Sequence, residues 1–125
     1  MKINTNNLGR CYELSFKYLI SHPDWQLIHG YITNIFPPHQ TIDHAWCIKD
    51  DIVYDVIYEE EFPIQAYKGL FKCEVEKIYS YDEAMEKYDE SGHCGCWYEP
   101  KELKSDKYYT KNGVLKKKYR DRRKF

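Results

Sequence analysis

Between Leu8 and Ser21 the apolar positions recur at helical rather than alternating spacing. Tyr12, Phe16, Leu19 and Ile20 form one stripe, and Leu8, Cys11, Ser15 and Tyr18 fill a neighbouring one. Together they cover most of the circumference, which predicts a central, largely buried helix. Asn7 is the expected N-cap, and Pro23 stops the helix. Trp25 to Thr33 then reads as a strand rich in β-formers. Asn34 to Asp43 is expected as a loop, because Pro37-Pro38 does not fit inside a sheet.

His44–Ile48 and Ile52–Tyr58 are two short strand-like runs separated by the polar Lys49-Asp50-Asp51. A two-residue loop at Lys49-Asp50 sets Trp46 against Val53 and His44 directly opposite Asp55. Glu59-Glu60-Glu61 reads as a solvated acidic run, Pro63 as the start of a short helix through Gly69, and Leu70–Tyr79 as a further strand. Ser80-Tyr81-Asp82-Glu83 has the form of a capping box, opening a helix that ends near Glu90 and stops at Gly92. His93–Pro100 is a compact Cys- and Gly-containing loop. Further on, Tyr108-Tyr109 and Val114-Leu115 flank a Lys111-Asn112-Gly113 turn that suggests a small hairpin. The expected class is α+β: an N-terminal helix packed on an antiparallel sheet of four or five strands, a second helix and a C-terminal extension.

Composition adds to this picture in three places. With 125 residues and 42% hydrophobic content, the chain has one domain's worth of core. No apolar run approaches the length of a membrane span, and Met1–Gly9 is too polar for a signal peptide, so a soluble cytoplasmic protein is expected. The five cysteines are odd in number and irregularly spaced, which argues for reduced thiols rather than a disulfide framework. Charge is unevenly spread. Residues 1–100 hold 8 Lys/Arg against 17 Asp/Glu, a balance of −9, and residues 101–125 hold 11 against 3, a balance of +8. The reading is one domain over 1–100 with a basic extension over 101–125.

Cys11 falls in the first turn of the predicted helix. There the unpaired N–H groups and the macrodipole favour a thiolate, and the same N–H groups can hold an oxyanion. A nucleophilic thiol needs a base, and the base needs a group that fixes its tautomer. His44 and Asp55, on adjacent strands and one face, supply that pair. Asp55 lies between Val53 and Ile57 and in phase with both, as expected of a partnered, inward carboxylate.

Gly9-Arg10-Cys11-Tyr12-Glu13 opening a helix resembles the nucleophile segment of the papain-like/transglutaminase-like cysteine enzymes. Asp43-His44-Ala45-Trp46 followed by Val53-Tyr54-Asp55 resembles their "HAW … YD" strand pair. The resemblance covers residues 8–58 and keeps the chain order Cys, His, Asp. It departs in the short Cys-to-His and His-to-Asp intervals and in Val56, where many relatives have Pro. It implies Cys11 as nucleophile, His44 as general base and Asp55 as orienting group, in a hydrolase or acyltransferase acting on an amide or related acyl bond. Peptidase, amidase, deamidase and transglutaminase-like activities all fall within it, on a protein or small acyl substrate. It implies no cofactor and no metal.

Other readings stand beside this one. Cys11 taken alone reads as an ordinary buried thiol, and His44 as a histidine satisfied by Asp43. Tyr12 offers its backbone N–H to an oxyanion, and Asn6 and Gln26 offer side-chain amides. Trp46 shares the face of His44 and is either core or substrate platform. His29 is either structural or a second site histidine. His93-Cys94-Gly95-Cys96 lacks the spacing and the second ligand pair of a structural zinc site. The basic tail, with Tyr108, Tyr109, Tyr119 and Phe125 interleaved, fits contact with nucleic acid or with an acidic partner. A non-catalytic binding protein on the same fold and a nucleic-acid-binding protein are therefore the alternatives.

Overall fold

Residue 3 and residues 5–98 are described by the computed structural model. The expected hairpin around Lys111-Asn112-Gly113 and the basic extension lie outside the described residues. After a 3₁₀ turn at Thr5–Asn7 come α1 (Cys11–Ser21), β1 (Gln26–Thr33), β2 (Thr41–Lys49), β3 (Ile52–Asp55), β4 (Glu60–Pro63), α2 (Ile64–Phe71), β5 (Glu74–Tyr79) and α3 (Tyr81–Ser91). The strands form one antiparallel sheet in the order β4-β3-β2-β1-β5. The fold is α+β, with the N-terminal helix packed on the sheet. No helix among the described residues is long and apolar enough to cross a membrane.

The two central strands are buried on both sides, and their side-chain alternation divides the core in two. Leu27 and Cys47 face α1 and α3, where they join Phe16, Leu19, Tyr79 and Ala84. Ile28, Ile32 and Trp46 point the other way, into a cluster with Val53, Phe62, Tyr67 and Phe71 under α2. Gly30 sits where β5 crosses β1 at an irregularity in the register. A Cβ there would fall 2.0 Å from the Glu74 carbonyl oxygen and 3.0 Å from the Trp46 ring. Only glycine lets that strand and that ring approach together.

The local signals differ from the structure in instructive ways. Helix α1 begins at Cys11 with Arg10 as its N-cap, not Asn7. Asn7 is instead buried in the 3₁₀ turn, where its amide donates to the Val56 carbonyl at 2.8 Å and the Glu59 carboxylate at 3.0 Å. The helix is buried along one side only: Tyr12, Ser15, Phe16 and Leu19 face inward, and Lys17, Ile20 and Ser21 lie exposed. The supposed acidic run carries β4. As an edge strand it pairs its backbone with β3, turns Glu60 and Glu61 to solvent and buries Phe62 alone. Helix α2 runs on to Phe71, capped by Lys72 in the left-handed region, so β5 starts only at Glu74. The Ser80–Glu83 capping box and the left-handed Gly92 cap of α3 are both present.

The β2–β3 hairpin pairs Lys49 with Ile52, Ile48 with Val53 and Cys47 with Tyr54. The loop is therefore Asp50-Asp51, one residue later than expected, with Asp50 at φ 53°. Moving the loop by one residue moves every partner by two, so each side chain keeps its face. His44 and Asp55 become diagonal neighbours on one face instead of direct opposites, still within reach of long side chains.

Candidate active site

Along β2, strand β3 pairs only with Cys47–Lys49, and it ends at Asp55. The first half of β2 therefore runs on past β3. A cleft of about 340 Å³ lies beside this part of β2, with Asp43 and His44 from the strand, Gly9 and Cys11 from the start of α1, and Ile57 and Tyr58 beyond β3. Here the N-terminus of a helix on one face of the sheet meets a histidine whose side chain belongs to the other.

His44 Nε2 lies 2.9 Å from Asp55 Oδ2, with both side chains buried. Asp55 accepts two more hydrogen bonds, from the Tyr67 hydroxyl at 2.6 Å and the Ile57 backbone N–H at 2.8 Å. Three donors hold this carboxylate in one orientation. The imidazole is stacked against Trp46, with ring centroids 5.9 Å apart. The Cys11 side chain also lies near enough to act on the imidazole electrostatically, and both residues line the cleft. With Nε2 committed to Asp55, Nδ1 is the ring nitrogen left for sulfur.

Burial disfavours a charge on His44, but the Asp55 carboxylate and Cys11 outweigh it. The imidazole therefore keeps its proton above the ordinary histidine range. Burial likewise works against an ionised Asp55. The facing imidazolium, the Tyr67 hydroxyl and the Ile57 N–H overcome it and hold the carboxyl below its ordinary value. An imidazolium beside a cysteine is the electrostatic partner that a thiolate needs.

Cys11 is the first residue of α1 and is half-buried. Arg10 makes no side-chain cap, and the first intrahelical bond is Leu14 N–H to the Arg10 carbonyl at 2.9 Å. The N–H groups of Cys11, Tyr12 and Glu13 precede that bond, as the ends of helices require.

The remaining candidates are dispersed. The Tyr12 ring is buried and its hydroxyl donates to Asp43 Oδ2 at 2.9 Å. Trp46 is core, 1% exposed, and acts as the floor under His44. Gln26 is exposed and pairs with Ile48, whereas His44 pairs with Gly30. That separates Gln26 from the site by four strand residues, about 13 Å. Asn6 is exposed in the 3₁₀ turn, and neither amide lines the cleft. His29 is buried among Tyr12, Tyr79, Trp97 and Tyr98. Its face of β1 is the one opposite His44. Cys94 feels Glu13 and Lys17, whereas Cys96 lies near Tyr98 and Tyr12. Among the described residues no three His, Cys, Asp or Glu side chains gather as a metal site.

Sequence reasoning misses Tyr67. Its only local signal is the Tyr67/Phe71 spacing, which puts both on the buried side of α2. Nothing in that spacing points at Asp55. No family model matches the chain, and neither a curated protein nor a solved structure matches it.

Proposed function

We propose that the protein is a thiol-dependent hydrolase or acyltransferase acting on an amide or related acyl bond, with Cys11 as nucleophile, His44 as acid and base, and Asp55 as the orienting group. The observation that carries this reading is one cleft lined both by Cys11, at the start of α1, and by His44, which is hydrogen bonded to the buried Asp55. A thiol sealed in the core would not support it.

With its proton already carried by His44 Nδ1, the sulfur attacks the carbonyl carbon as the thiolate of an ion pair. The N–H groups of the first turn of α1 stabilise the oxyanion that forms. Collapse breaks the C–N bond, and the amine leaves with the proton from His44. Water or an amine then attacks the thioester, loses a proton to His44 and expels the Cys11 thiolate. Asp55, fixed by Tyr67 and Ile57, keeps Nε2–H pointed away from sulfur throughout.

The test is site-resolved alkylation with iodoacetamide at near-neutral pH, read by peptide mass spectrometry. Cys11 is expected to react at least about 10-fold faster than Cys47 or Cys73, and His44→Ala to remove that advantage. Equal rates at the cysteines overturn the proposal.

A further inference from the structure

The cleft beside the thiol also says what kind of acyl group it receives. Leu8, Ile32, Ile42 and Ile57 line it together with Cys11 and His44. No lysine or arginine is among the lining residues. Its one carboxylate apart from the His44–Asp55 pair is Asp43, which already accepts the Tyr12 hydroxyl. An anionic acyl group would lie beside the Asp43 carboxylate with only His44, already paired with Asp55, as a cation, and would lose its hydration. An aliphatic one would exchange water for isoleucine and leucine side chains.

Size narrows the choice. At roughly 30 Å³ per water-sized group, the cleft of about 340 Å³ holds about ten such groups. An acyl chain of about four to six carbons fills half of it and leaves room for the tetrahedral carbon and the attacking nucleophile.

We propose that this site takes an uncharged aliphatic acyl group of medium length, the chemistry shared by a short fatty acyl chain and a leucine-like residue. The proposal rests on Cys11 being the nucleophile. In the acylation step a C–S bond forms at the carbonyl carbon and the bond to the leaving group breaks, with the electron pair departing on that group. Water then adds to the carbonyl, the C–S bond breaks, and the proton from water returns through His44.

The experiment is acylation of the full chain by p-nitrophenyl acetate, butyrate, hexanoate, monosuccinate and acetyl-leucinate, each corrected by the Cys11→Ala rate and by the same ester's rate with a free thiol. The corrected rate is expected to rise about threefold per methylene from acetate to hexanoate. The succinyl ester should run at least about 10-fold slower than the butyryl ester of equal chain length. Leu8, 55% exposed at the rim, can be changed without opening the core. Leu8→Lys should narrow the succinyl disadvantage severalfold. Acetyl-leucinate outrunning hexanoate identifies a peptide-like acyl group, and the reverse a free acyl chain; both support the aliphatic preference. A flat series, or a succinyl preference, with Cys11 still acylated overturns the inference and leaves the catalytic reading intact. No ester reacting above the Cys11→Ala background overturns the catalytic reading itself.

Discussion

Two histidines sit on neighbouring central strands, almost side by side, and the fold treats them in opposite ways. His44 pairs in register with Gly30, and His29 is the residue next to that glycine. Both are buried. His44 faces the α2 side and meets Asp55. His29 faces the α1 side and meets four aromatic rings, with neither ring nitrogen hydrogen bonded among the described residues. Gly95 presses its backbone against that imidazole so closely that a Cβ would lie 2.8 Å from Cε1. Burial alone lowers the pKa of His29 to about 3, so it stays neutral. The same burial acts on His44 and is overcome by its carboxylate partner. Partnership, not burial, distinguishes a histidine that holds its proton from one that stays neutral and fills space.

The comparison breaks most sharply at Asp55. Asp55→Asn should bring His44 towards the state of His29, because desolvation is then opposed by Cys11 alone. The His44 pKa, followed by NMR of its ring protons, is expected to fall below the ordinary value near 6.5. Stability should drop by about 3 kcal/mol in urea unfolding, as expected when a buried pair loses one member. A His44 pKa that stays high in this variant would show that Asp55 does not set it.

Tyr67→Phe removes one of three donors to the carboxylate and leaves the ring packing in place. A loss of about 1–2 kcal/mol is expected in the same assay, together with a smaller fall in the His44 pKa. Loss of stability with no change at His44 would make Tyr67 structural only.

The pH dependence of stability separates the two regions by sign. His44 is raised above its unfolded value, so its contribution is full below about pH 6.5 and is lost as pH climbs through the raised value. Asp55 is lowered, so its contribution is present above about pH 4 and is lost as pH falls through the depressed value. His29 is lowered too, but it is a base. The unfolded chain binds its proton first, so stability falls below about pH 6.5, by up to about 1.4 kcal/mol per pH unit, down to about pH 3. His29→Leu should flatten that acid slope while changing stability at pH 7 by only about 1 kcal/mol or less. Urea midpoints between pH 4 and 7 provide the check. An unchanged slope would place the acid sensitivity elsewhere.

The sequence by itself determined what short-range periodicity can determine. Helix α1, strand β1 and the capped helix α3 follow from spacing, from Ser80 with Glu83 and from Gly92. The common face of His44 and Asp55 follows from the period of a strand, and it survived a turn misplaced by one residue because that error shifts partners by two. Edge strand β4 escaped notice because three glutamates hide a strand that buries only Phe62. Tertiary structure alone decided that β3 pairs with β2 only along Cys47–Lys49, that the start of α1 reaches the cleft this leaves beside β2, and that Cys11 and His44 both line it. It also decided that Tyr67 steadies Asp55 and that His29 is shut into an aromatic cage. Those outcomes depend on contacts between residues distant in sequence. A local pattern fixes which face a side chain takes, and only the packed chain fixes what waits there.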